Sequence, residues 1–213
     1  MERWATFDCY GTLIDWDGGV RAELVRVFGE EQADDLLVRY HEIEPELQRD
    51  GASSYRDVLT ESMRLLGAPP GQEHGLADSL PGWRVFPEVR GALDEVRRRG
   101  WKLAILSNTD ADFIAASKVH IGVPFDEVVV AQEIASYKPA HKHWEEFFAR
   151  TNASPAGHVH VGASLFHDIE PANELGLRSV WINRTGEPAT VQPTRELTDL
   201  LALPETLDEL VAA

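Results

Sequence analysis

The chain is predicted to be an α/β protein: an open parallel sheet with a helical cap inserted after the first strand. Three observations predict this. Short apolar runs of the kind made by strands buried on both faces alternate with helical patterns, and that alternation means a parallel sheet. The region from about Trp16 to Trp83 breaks the alternation with helices alone. The residues able to do chemistry fall just beyond the ends of successive strands, where open sheets bind their ligands.

Taken in order, Trp4 to Cys9 is a short apolar run interrupted by Asp8 and followed by a glycine turn, Tyr10-Gly11-Thr12, which reads as a strand and the loop at its carboxyl end. The buried-strand runs that follow are Lys102 to Leu106, Glu127 to Ala131, His158 to Val161 and Arg178 to Ile182. Between them, Pro87 to Arg99 has proline and acid at its start and base with Gly100 at its end, the polarity of a capped helix. Asp110 to His120, His141 to Arg150 and Asp168 to Leu175 complete the alternation, with Gly176 as a stop. In the insertion, Ala22 to Phe28, Gln32 to Arg49 and Ser54 to Leu66 carry helical spacing of apolar positions, and Ala68 to Gly71 breaks the run. The expected division is therefore a core of residues 1–15 and 84–213 and a cap of residues 16–83. A polar loop from Gly186 to Pro193 leads to a short strand and, from Pro204, a closing helix.

Composition narrows the function classes. The 213 residues are 43% hydrophobic and 26% charged, ordinary for a globular chain. No apolar run approaches the roughly 18 residues of a membrane helix, and the N-terminus lacks the pattern of a signal peptide, so a cytoplasmic location is expected. A formal charge of −16 should repel nucleic acid and anionic membranes. A small anionic substrate would need a local cluster of positive charge and N–H groups. One cysteine, Cys9, excludes an intrachain disulfide.

The strand ends supply such a cluster: Asp8, then Ser107 and Asn108, then Lys138, then Ser164 and Asp168. The strings FDCYGTLID, ILSNTD, SYKP and HVGASLFHDI resemble the four motifs of the haloacid dehalogenase superfamily. The resemblance implies a Rossmann-like core and an aspartate nucleophile, Asp8. Phosphatases of that superfamily carry a second Asp two residues after the nucleophile, where this chain has Tyr10, and a Gly-Asp at the start of motif four, where it has Gly162-Ala163. An aromatic at the first position is similar to the L-2-haloacid dehalogenase branch.

Chemistry favours the same branch. Phosphoryl transfer needs Mg²⁺ and its oxygen ligands, whereas halide leaves carbon without protonation and needs only a carboxylate nucleophile, a halide cradle and a carboxylate anchor. The expected mechanism is attack of Asp8 on an (S)-2-haloacid, followed by hydrolysis of the ester to the (R)-2-hydroxyacid, with no metal or other cofactor. Lys138 is expected to hold Asp8 ionised and Asp168 to position Lys138 or the water. Ser107, Ser164 and the N–H groups around Tyr10 and Gly11 are expected to bind substrate, and Thr12 and Asn108 to shape the site. The resemblance further implies Arg39 as the receiver of the halide, Trp144 in place of a tyrosine that follows the lysine, and a homodimer. The competing readings are a Mg²⁺-dependent phosphatase of a small phosphate ester, with the metal near Asp8 and Asp168, a phospho-acceptor module, and a binding protein on the same fold. His141/His143 and His158/His160 read as structural rather than metal-binding pairs, and His167 adjoins Asp168 at the active rim.

Overall fold

The computed structural model describes residues 2–49, 51 and 53–212. Its first strand, β1 (Arg3–Phe7), enters the centre of a six-stranded sheet. The chain then leaves the sheet for α1 (Trp16–Phe28), α2 (Glu30–Gln48), α3 (Tyr55–Leu66) and the short α4 (Gly75–Ser79) before returning. α5 (Val89–Arg98), β2 (Trp101–Ser107), α6 (Ala111–Ile121), β3 (Glu127–Val130), α7 (Ala131–Ile134) and α8 (Lys142–Thr151) follow. The remainder is β4 (His158–Gly162), α9 (Glu170–Glu174), β5 (Arg178–Ile182), β6 (Arg195–Leu197) and α10 (Leu203–Leu210).

The strand order β3-β2-β1-β4-β5-β6 is parallel throughout, and the order reverses direction at β1, between β2 and β4. That switch point leaves a crevice at the carboxyl ends of these three strands. Every residue of β1 and β4 is buried, as two covered faces require. The expected helix Asp168 to Leu175 begins earlier, as one wide turn over Leu165–Ile169 that continues into α9. Ser164 caps that turn, its Oγ accepting from the His167 N–H at 3.0 Å.

The two chain crossings into and out of the helical insertion run side by side. Asp15 N–H donates to the Arg84 carbonyl at 2.8 Å, Phe86 N–H donates to the Leu13 carbonyl at 3.1 Å, and Ile14 bridges Val85 in antiparallel fashion. Further contacts fasten the insertion to the core. The Asp110 carboxylate accepts from the N–H groups of Tyr55 and Arg56 at 2.9 Å each, capping α3 from the other side of the crevice. The Tyr137 hydroxyl donates to the Ser53 carbonyl at 2.9 Å. Among the described residues no helix is long and apolar enough to cross a membrane.

Candidate active site

The insertion and the carboxyl ends of β1, β2 and β4 enclose a cavity of about 810 Å³. Asp8, Ser107, Asn108, Lys138 and Asp168 line its floor, and Trp16, His41, Glu44, Gln48 and Tyr55 line the facing wall. Lys138 is the hub. Its ammonium donates to Asp8 Oδ1 at 2.9 Å and to Asp168 Oδ1 at 2.6 Å, and the residue is only 2% exposed. Asn108 holds the Lys138 backbone from both sides, accepting from its N–H at 2.6 Å and donating to its carbonyl at 3.0 Å. The remaining Asp8 oxygen accepts from the Thr12 hydroxyl at 2.9 Å, and Thr12 Oγ1 in turn accepts from Ala163 N–H at 2.9 Å.

Backbone geometry puts these groups within reach of each other. Gly11 turns the loop after β1 with φ of +91°, a conformation that costs glycine nothing. Gly162 ends β4 directly beneath Asp168, where a Cβ would lie 2.4 Å from the Asp168 carboxyl carbon. The motif-four glycine is therefore space for a carboxylate. Asp168 Oδ2 accepts from Ser164 N–H at 3.1 Å, so both its oxygens are held.

One ammonium serves two buried carboxylates, and it serves them unequally. Burial works against the charge of Asp168, but Lys138 and His160 overcome it and hold this carboxyl well below the usual carboxylate range. Burial, reinforced by the Asp168 charge and opposed by Lys138, pushes Asp8 up to about 6. Burial also opposes the charge of Lys138, which the two carboxylates nevertheless hold above the ordinary lysine value. Asp8 is thus the more weakly stabilised and more basic carboxylate, the one equipped to share its electrons. If ionised Asp8 starts the reaction, activity rises with pH as Asp8 loses its proton around 6 and then stays level, because Lys138 is held above the ordinary lysine value. Initial rates from pH 4 to 10 test this; a rate undiminished at pH 4 would remove Asp8 ionisation from the rate law.

The sequence-derived residues do not all arrive in the cavity. Arg39 is exposed and absent from the lining. α2 buries Ala33, Leu36, Tyr40, Glu44 and Gln48, a stripe with a spacing of three and four residues, and Arg39 lies one residue, about 100° of helix, off it. Its expected place facing the reacting centre is corrected to the solvent side. Trp144 is fully buried against the His160 ring, at 5.0 Å between centroids, and lines no part of the cavity. The Gly11 N–H donates to the Ile14 carbonyl at 2.8 Å, so it is spent within its own turn and is not offered to a substrate. Tyr10 forms a wall between core and insertion, its ring stacked on Tyr55 at 6.3 Å and its hydroxyl 3.0 Å from Ser117 Oγ. Ser164 and His167 line the cavity, with Ser164 Oγ 3.1 Å from His167 Nδ1. Cys9 is buried.

Other lining residues had not been singled out in the sequence. Arg184, after β5, donates to the Thr12 carbonyl at 2.9 Å and to Glu88 at 2.7 Å, with its guanidinium 3.6 Å above the Phe86 ring. Glu44 presents a carboxyl from the insertion, pushed up to about 7 by burial. It accepts from the Gln48 side-chain amide, whose oxygen accepts from Asn108 at 3.1 Å. The stripe Tyr40, Glu44, Gln48 was the available signal for this pair.

A Mg²⁺ site does not fit these residues. The Lys138 ammonium sits on both carboxylates, Tyr10 and Ala163 add none, and among the described residues no three His, Cys, Asp or Glu side chains converge to hold a metal ion.

A family model described as haloacid dehalogenase-like hydrolase matches residues 3–176. The chain belongs to that family. The hydrolase is similar to the (S)-2-haloacid dehalogenase of Pseudomonas sp. (strain YL), 29% identical over 216 residues that cover 95% of this chain and 93% of that protein. It is also similar to haloacetate dehalogenase H-2 of Moraxella sp. (strain B), 29% identical over 194 residues covering 84% and 85% of the two chains. Its fold superposes on a crystal structure of an L-2-haloacid dehalogenase with a TM-score of 0.87 at 23% identity, covering 97% of this chain and 99% of that one.

Proposed function

We propose that the hydrolase is an (S)-2-haloacid dehalogenase working through an aspartyl ester without a metal. The observation that carries the reading is Lys138, an ammonium seated between Asp8 and Asp168 where neither Tyr10 nor Ala163 supplies a further carboxylate. An Asp8 oxygen attacks C2 of the acid from the face opposite the halogen, forming a C–O bond while the halide leaves with the C–X electron pair. Water then adds to the ester carbonyl, and the tetrahedral species expels the hydroxyacid oxygen. The sum is haloacid plus water giving the inverted (R)-hydroxyacid, halide and one proton. The ionised Asp168 positions Lys138, and Lys138 keeps Asp8 anionic between turnovers.

Ser107 suits the substrate carboxylate: its Oγ is buried in the cavity floor with no hydrogen-bond partner. The relatives named (S)-2-haloacid and haloacetate dehalogenase support this class of substrate. Trp16, His41 and Tyr55 line the cavity wall and Arg39 does not, so Arg39→Ala should change the rate less than about twofold, as expected for an exposed residue outside the site.

The test is halide release from (S)-2-chloropropionate and from chloroacetate with EDTA present, beside hydrolysis of p-nitrophenyl phosphate with Mg²⁺. Halide from the (S) enantiomer alone, unaffected by EDTA, is the expected result. Phosphate release that depends on Mg²⁺, without halide release, would transfer the chain to the phosphatase reading.

A further inference from the structure

Behind Asp168 the two central strands carry a polar chain that the proposed reaction does not use. Thr6 stands two residues before Asp8, hence on the same face of β1, and pairs in register with His160 of β4. Its Oγ1 lies 2.8 Å from His160 Nδ1 and 2.8 Å from His158 Nε2, and His160 Nε2 lies 3.3 Å from Asp168 Oδ1. All four side chains are fully buried.

Counting donors along the chain fixes every proton. Ionised Asp168 only accepts, so His160 Nε2 carries a proton. A neutral imidazole has one N–H, which leaves Nδ1 bare to accept from the Thr6 hydroxyl. That hydroxyl has a single proton, so toward His158 it accepts, and His158 carries its own proton on Nε2. His158 Nδ1 is then an unprotonated nitrogen, in agreement with its being buried without a partner, since an orphaned acceptor is the more tolerable buried group. Burial lowers His160 and takes His158 down to about 3, so both rings are neutral at physiological pH. The edge of Trp144 packs against His160 at 70° between ring planes and fixes the ring's orientation.

We propose that His160, an Nε2–H donor to Asp168 whose ring is seated by the Thr6 hydroxyl at Nδ1 and by Trp144, is a positioning residue that aims Asp168 at Lys138 and thereby sets the geometry of Lys138 on Asp8. The inference rests on reading Asp8, Lys138 and Asp168 as the reacting groups, whichever substrate they take. His160 acts through Asp168 and touches no substrate.

Two measurements test it. In protein labelled with nitrogen-15 at histidine, both His158 and His160 should appear as neutral Nε2–H tautomers. Thr6→Val leaves the Asp168 acceptor in place, so His160 should stay Nε2–H but lose the hydrogen bond at Nδ1, a shift of that nitrogen's resonance that Thr6→Ser should not show. An imidazolium or an Nδ1–H tautomer at His160 in the unsubstituted protein overturns the proposal. In the halide assay, His160→Leu should lower kcat about 10- to 100-fold, as loss of a charge-assisted hydrogen bond implies, with KM changed less than about twofold. His160→Gln, whose amide N–H can reach the same oxygen, should recover most of that loss. Leu and Gln variants of equal activity, high or low, would make His160 a packing residue. The spectra need no substrate, so a silent halide assay counts against the reaction while the tautomers still decide this proposal.

Discussion

Asp8→Asn should abolish turnover, lowering kcat by at least about 10⁴-fold, and leave the fold intact. The substitution exchanges one carboxylate oxygen for an amide nitrogen in a site that tolerates either. The Asn oxygen keeps the Lys138 contact now made by Asp8 Oδ1 at 2.9 Å. The new amide donates to Thr12 Oγ1, which accepts from Ala163 N–H already and has a second lone pair to offer. Nucleophilicity is lost together with the Asp8 charge, while Lys138 keeps its ion pair with Asp168. Thermal unfolding within a few degrees of the unsubstituted protein, together with no halide released, is the expected pair of results. The same residue can be tested for its covalent role. In a single turnover with enzyme in excess in heavy-oxygen water, the ester is cleaved by attack at its carbonyl carbon, so one heavy oxygen enters Asp8 and the product takes its hydroxyl from the enzyme. Mass spectrometry of the peptide containing Asp8 reads this directly. Label found in the hydroxyacid after one turnover would mean that water attacked C2 and that Asp8 was at most a base.

Why the sequence discloses Asp8 and Lys138 but not His160 follows from how each is placed. The five principal strands were legible because strands covered on both faces must be continuously apolar, and the insertion because its helices lack a strand among them. Asp8, Ser107, Asn108 and Asp168 then follow from the general rule about strand ends. Arg39 is a different case, because motif likeness carries no information on a helix's phase and the burial stripe of Ala33, Leu36, Tyr40, Glu44 and Gln48 leaves it exposed. The Gly11 N–H is illegible for another reason, since the destination of a backbone N–H is a property of the folded turn. The Thr6 link depends on the register that places β1 beside β4, and sequences 152 and 154 residues apart do not announce their pairing. The alternation of His158 and His160 said only that they share a face. Glu44 was hidden because one of seven acids between Glu30 and Glu46 reads as helix surface.

Replacing Lys138 by Met should cost both activity and stability, with opposite sensitivities to pH that separate the two effects. Without the ammonium, two carboxylates remain in one buried pocket, and they cannot both stay ionised cheaply. Asp8, already raised to about 6 by burial in the intact site, would take up a proton at neutral pH and lose its nucleophilic lone pair. We expect a fall in kcat of about 10³-fold or more, reversed only in part at high pH, where Asp8 ionises again but its partner is gone. Stability should fall by about 3–5 kcal/mol at pH 8, the usual cost of stranding a buried charge. The sign of its pH dependence is fixed by linkage: a carboxyl raised above its unfolded value binds protons more tightly in the folded state, so folding gains as pH falls. In the variant both Asp8 and Asp168 have raised values, so urea unfolding should show a deficit that shrinks from pH 8 to pH 5. In the intact protein Asp168 acts the other way, held well below the usual range, and contributes stability that is lost as pH falls below about 4. A variant equally destabilised at both pH values would mean that Lys138 contributes packing rather than charge, and would leave Asp8 without the cation that its role as nucleophile demands.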